Sequence, residues 1–146
     1  MIAGSDFITQ WRAAVEAYLA DQFPKAEVVG GSREGVNQRD KDLVAVWWPG
    51  WDELPRDITL ATPTLTIRYF PSKSKLPKRE NPRDPSALEQ AAAGLMLAMR
   101  AKQKVGDFVP KLACGISRVV PVDLPEQWYV EATVTSFTFH LARNAA

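Results

Sequence analysis

The chain has 146 residues, 46% hydrophobic and 24% charged, the balance of an ordinary globular protein long enough to bury its own core. Its 18 Lys and Arg against 17 Asp and Glu leave a net charge of +1, less than a protein devoted to gripping nucleic acid carries. A single cysteine excludes an internal disulfide, no apolar run approaches the ~20 residues of a membrane span, and the opening MIAGSDFITQ lacks the pattern of a signal peptide. These totals lead to the expectation of one soluble domain over residues 1–146, made in the cytoplasm.

Residues 6–22 place Ile8, Trp11, Val15, Tyr18 and Leu19 on one stripe, which predicts an amphipathic helix capped by Ser5 or Asp6 and closed by Pro24. AEVV (26–29) reads as a short strand, and GGSREGVNQRDKD (30–42) as a long exposed loop of mixed charge. LVAVWW (43–48) is continuously apolar, the pattern of a strand covered on both faces. PGWDELPRD (49–57) turns the chain. TLTIRYF (64–70) then alternates, with Leu65, Ile67 and Tyr69 on one face and Thr64, Thr66 and Arg68 on the other.

The next stretch, PSKSKLPKRENPRDP (71–85), holds Lys73, Lys75, Lys78, Arg79 and Arg83 with only Glu80 and Asp84, a local charge of +3. The remaining 13 bases and 15 acids sum to −2. Prolines 71, 77, 82 and 85 predict an extended loop outside any helix or sheet. SALE (86–89) has the form of a capping box with Ser86 as N-cap, opening a helix over about 87–104 that Gly106 ends. Its small residues Ala91, Ala92, Gly94 and Ala98 predict close packing against a sheet.

The last forty residues read as a ribbon: a strand at 111–120, a connection at 121–127 and a long strand at 128–142. Within that last strand the apolar positions move from even (Trp128, Val130, Ala132, Val134) to odd (Phe137, Phe139, Leu141). Such a change needs a bulge near Thr135–Ser136, or a far half covered on both faces. The order is α-β-β-β-α-β-β, an α+β two-layer domain with an antiparallel or mixed sheet packed against two helices.

Catalytic constellations are not found in the sequence. No CxxC or HxxxH spacing marks a zinc site, no GK[ST] follows VVGGSREG (28–35), and neither GIS (115–117) nor ATVTS (132–136) resembles a nucleophile elbow. Cys114 reads as a small core side chain, His140 as a solvent-facing or interface residue, and Asp40, Asp42, Asp52 and Glu53 as solvated loop acids. The expectation is a protein that is not an enzyme and needs no cofactor. Trp47, Trp48, Trp51 and Trp128 fit a core plus a subunit contact better than a base-stacking platform, because 43–51 contains no Lys or Arg. For 71–85, composition leaves two readings open, a phosphate-binding arm or a loop reaching a neighbouring acidic surface.

The layout, with the strand TLTIRYFPS, the helix PSALEQAAAGLMLAMRA and the closing WYVEATVTSFTFHLA, resembles the tail terminator (tail completion) proteins of long-tailed bacteriophages of the siphophage type. That resemblance implies a virion assembly protein that closes into a six-fold ring on the head-proximal end of the tail tube. Such a ring stops polymerisation, offers a docking surface to the head-tail connector and lets DNA pass through. The implied partners are further copies of the chain, the tail tube protein, the connector or stopper protein and, transiently, genomic DNA. The candidate contact residues are Lys73, Lys75, Lys78, Arg79 and Arg83 in the basic loop, with Trp48, Trp51, Phe137 and Phe139. Arg33, Arg39 and Lys41 in the mixed-charge loop are expected to serve a separate surface. Two other readings are another phage neck or head-completion protein and a small nucleic-acid-binding module using 71–85.

Overall fold

The computed structural model of the chain describes residues 2–3, 7–31, 39–51, 60–61, 63–99, 115–124, 127–135 and 139–142. Its elements are β1 (Ile2–Ala3), α1 (Phe7–Gln22), β2 (Glu27–Gly30), β3 (Leu43–Trp47), β4 (Leu60–Ala61), β5 (Thr64–Phe70), α2 (Ser86–Ala98), β6 (Gly115–Leu124), β7 (Gln127–Thr135) and β8 (Phe139–Ala142). Five strands form the main sheet in the order β2-β3-β5-β7-β6. The β2–β3 pair is parallel and the others are antiparallel, so the sheet is mixed. Together with α1 and α2 these five strands follow the expected order α-β-β-β-α-β-β. A second, three-stranded sheet, β1-β8-β4, adds short pieces outside that order.

Both helices lie on one face of the main sheet. Trp11, Val15 and Leu19 of α1 are fully buried, with Ile8 and Tyr18 packed at the margin, so the apolar stripe is the buried face. From α2, Leu88, Ala91, Leu95 and Ala98 reach the same core, joined by Met99. The sheet supplies Val44, Val46, Leu65, Ile67, Tyr69, Trp128, Val130, Ala132 and Val134. The alternation of TLTIRYF is therefore real, with Leu65, Ile67 and Tyr69 turned towards the helices. LVAVW is buried along nearly its whole length because the opposite face is covered too, where Leu43, Phe70 and Tyr129 form a second cluster.

Contacts between the helices hold the layer together. The Tyr18 hydroxyl of α1 donates to the carbonyl of Ala98, at 2.5 Å. A side chain at Gly94 would come within 3.3 Å of the Phe23 ring, so the small face of α2 admits the residue that follows α1. Packing of α2 on β6 and β7 agrees with the sheet reading of its small residues.

Several boundaries differ from expectation. Ser86 is the first residue of α2 and not its cap; Pro85 holds the cap position, and the Asp84 carboxylate before it accepts from the Ser86 amide at 3.0 Å and hydroxyl at 2.6 Å. Asp84 is held below the ordinary carboxylate range by these bonds. The helix ends at Ala98, several residues before the expected 104, where Met99 leaves helical geometry. Lys102, Lys104, Gly106 and Cys114 lie outside the described residues, as do Ser5 and Asp6. The basic loop contains a single 3-10 turn at Lys73–Lys75, because no proline stands inside those three residues to prevent it.

The closing ribbon is a tighter hairpin than expected. β6 runs to Leu124 and β7 begins at Gln127, so only residues 125 and 126 connect them. Pro121 lies inside β6, which its missing amide permits because β6 is an edge strand. Ser117 is bulged out of the ladder between Ile116 and Arg118; its hydroxyl accepts from Thr135 Oγ1 at 2.9 Å. The expected single strand 128–142 is two strands in two sheets. Residues 62 and 63 separate Ala61 from Thr64, whereas residues 136 to 138 separate Thr135 from Phe139. The β4–β8 pairing is therefore offset by one residue from the β5–β7 pairing.

Two leucines two positions apart on α2 test this layer. Leu95 is fully buried and Leu97 is 68% exposed. Leu95→Ala is expected to lower stability by about 2–5 kcal/mol and Leu97→Ala to change it by less than about 0.5 kcal/mol, read from urea denaturation midpoints.

Candidate protein-docking site

The register Leu43↔Phe70 brings the residue before β3 beside the residues after β5. Asp42 is buried there, and three donors converge on its carboxylate. The Ser72 amide donates to Oδ1 at 2.8 Å, while the Tyr69 hydroxyl at 2.5 Å and the Lys75 ammonium at 2.6 Å donate to Oδ2. Burial raises the carboxyl pKa, but bonds from Lys75, Tyr69 and Ser72 outweigh it and hold Asp42 below the ordinary range. Burial, reinforced by the hydrogen bond to the carboxylate, drives the Tyr69 phenol well above its usual pKa. The expectation of a solvated Asp42 is corrected: the residue is a clamp. A small cavity of about 140 Å³ lies beside it, bounded by Phe23, Pro71 and Lys75 and by Ala87, Gln90 and Ala91 of α2.

The clamp joins the two loops that the sequence reading assigned to separate surfaces. Lys73 donates its amide to the Arg39 carbonyl at 2.9 Å and pairs through its ammonium with Asp40 at 2.8 Å. Arg39 in turn pairs with Glu27 at the start of β2. Pro71 and Ser72 are buried beneath this contact. The start of the basic loop is therefore folded against its own domain. Lys41 is exposed nearby, and Arg33 lies outside the described residues.

The five bases divide into two groups. Lys73 and Lys75 are spent on Asp40 and Asp42. Lys78, Arg79 and Arg83 are exposed and have no ion-pair partner among the described residues. Lys78 and Arg79 border an open groove of about 350 Å³ between the loop and the β6–β7 hairpin, whose walls are Leu76, Pro77, Pro82, Asp123 and Trp128. Sequence reasoning found the two cations but not Leu76, Asp123 or Trp128 as their neighbours. Only the pairing Asp123↔Trp128 at the end of the hairpin puts those two together.

The remaining candidates lie apart. Trp48 and Trp51 pack edge to face, 5.9 Å between ring centroids, at the margin of the helix-side core. The Trp48 indole N–H is buried without an acceptor among the described residues. Phe139 stands opposite Ala61 in the small sheet, His140 stands opposite Leu60, and Phe137 lies outside the described residues. On the helix-free face Arg68 sits between the rings of Trp47, at 5.0 Å, and Tyr129, at 4.8 Å, and pairs with Glu131 at 3.0 Å. The guanidinium covers one side of each ring.

Gly31, in the glycine pair after β2, adopts φ 104°, and its amide donates to the Val46 carbonyl at 2.8 Å. That donor serves the sheet and is not free for a phosphate. Among the described residues no three His, Cys, Asp or Glu side chains gather where they could hold a metal ion, and no helix is long and apolar enough to cross a membrane. No model of a known protein family matches the chain, and no curated protein sequence does.

Removing the clamp exposes its contribution. Asp42→Ala is expected to cost about 3 kcal/mol, since it strands buried donors, whereas Lys75→Met, whose ammonium is half exposed, costs less than about 1 kcal/mol. Because folding lowers the Asp42 pKa, its stabilisation is complete above the unfolded value of about 4 and disappears as pH falls through the folded value. The stability difference between wild type and Asp42→Ala, followed by denaturant unfolding from pH 7 to pH 2, should shrink below about pH 4.

Proposed function

We propose that the chain is an assembly subunit of the tail-terminator kind. In this reading it closes a ring, with six subunits expected, on the head-proximal end of a phage tail tube, stops tube growth and receives the head-tail connector. The observation that carries the proposal is the basic loop itself. It is shaped by the Asp42 clamp, it leaves Arg83 exposed, and it sets Lys78 and Arg79 beside a groove. Such a surface suits docking to another protein. The one buried carboxylate of the site has both oxygens engaged and is not free to act as a base. The α-β-β-β-α-β-β order on which the resemblance rests adds support.

The partners in this reading are further copies of the chain, the tail tube protein and the connector. DNA passes through the ring without being held, and the protein resides in the virion. A nucleic-acid module is less favoured, because two of the five loop cations are already neutralised within the chain. Lys75 supports the clamp, so a fair test of phosphate binding replaces Lys78, Arg79 and Arg83 and leaves Lys75 in place.

Native mass spectrometry over a concentration series, with negative-stain imaging in the presence and absence of tail tube protein, tests the assembly reading. Closed rings, free or on tube ends, are the expected result. A chain that stays monomeric with tube protein and binds duplex DNA with steep salt dependence overturns it.

A further inference from the structure

We propose that the groove between the basic loop and the β6–β7 hairpin receives an extended acidic segment of a partner protein, with an apolar side chain seated between the prolines. This inference stands on the groove alone and holds whether or not the chain forms a ring. The floor and walls offered by Leu76, Pro77, Pro82 and Trp128 are apolar or nearly so, and about 350 Å³ accommodates a few side chains of an extended peptide. Trp128 is 7% exposed and anchored in the core, so that wall is fixed before a ligand arrives.

Charge selects the ligand. Lys78 and Arg79 stand at the groove without an ion-pair partner among the described residues, although Lys73 and Lys75 of the same loop have theirs. An acidic side chain answers both cations. Asp123, on the opposite wall, distinguishes a peptide from a polyphosphate. A carboxylate there accepts hydrogen bonds from the backbone amides of an extended peptide, whereas a phosphodiester chain has no donor to offer it, and it leaves the acidic side chains to the Lys78 and Arg79 side. Prolines 77 and 82 cannot donate amide hydrogens into the groove, so side-chain charge and apolar fit carry the recognition.

The probe is a fluorescein-labelled peptide of sequence Glu-Pro-Leu-Glu-Pro-Leu, with Lys-Pro-Leu-Lys-Pro-Leu and a duplex DNA 20-mer as controls. Polarisation should show the acidic peptide binding and the basic peptide failing to bind. In amide NMR spectra the resonances of residues 76–82, Asp123 and Trp128 should move. The double variant Lys78→Glu/Arg79→Glu alters exposed side chains with no ion-pair partner among the described residues, so its melting temperature should be unchanged while acidic-peptide binding weakens by about tenfold or more. The same variant should gain affinity for the basic peptide. Four results overturn the proposal: no binding at millimolar peptide, equal binding of both peptides, perturbations confined to other residues, or DNA producing the same shifts more tightly than the acidic peptide.

Discussion

A carboxylate removed from water must be met by donors from several directions, and Asp42 is met by three. They come from Tyr69, the last helix-facing residue of β5, from the Ser72 backbone just after the strand, and from Lys75 in the 3-10 turn that follows. This single acid therefore fixes where the chain goes when it leaves the central strand of the sheet. The Lys73–Arg39 bond and the Lys73–Asp40 pair extend the contact outward from the buried centre. Surface pairs of that sort contribute little alone. Here they follow a path that the buried acid has already set. The position of Leu76 and Pro77, and with them one wall of the groove, depends on it.

The two faces of the main sheet are handled differently. Towards the helices the strands offer aliphatic side chains, and α1 and α2 close over them. On the other face a small apolar cluster of Leu43, Phe70 and Tyr129 sits beside Arg68, which two aromatic rings and Glu131 hold in place. Further along the same face come Thr64, Thr66, Thr133 and Thr135, and the Ser117 bulge bonds into that end. Among the described residues, one face of the main sheet is thus a core and the other a partly polar surface.

The candidate site was half legible. Lys78 and Arg79 were visible as members of a basic stretch, and their exposure follows from prolines on either side. What could not be read was that Lys73 and Lys75 belong to a different set. The hint was present: Asp40 and Asp42 in the mixed-charge segment precede β3, and a base-rich segment follows β5. Converting that hint into pairs requires knowing that β3 and β5 are antiparallel neighbours with Leu43 opposite Phe70. Composition gives no register. Asp123 and Trp128 were hidden for the same reason, since a seven-residue connection was read where the hairpin turns within two. Pro121, at the start of that expected connection, belongs to β6, because proline is tolerated at a sheet edge.

Local chemistry was enough to determine the helix stripe of Trp11, Val15 and Leu19, the alternation of TLTIRYF and the buried run LVAVW. These patterns come from helical and strand periods that act within a few residues, so they can be read without knowing the fold. The same is true of the parity change after Val134, which marks a break in the strand before its cause is known. Tertiary structure alone decided which carboxylate is buried, which cations remain unpaired and which walls face each other across the groove. Those outcomes depend on strand neighbours distant in sequence, and a charge's partner is set by where the backbone brings it, not by what stands beside it in the chain.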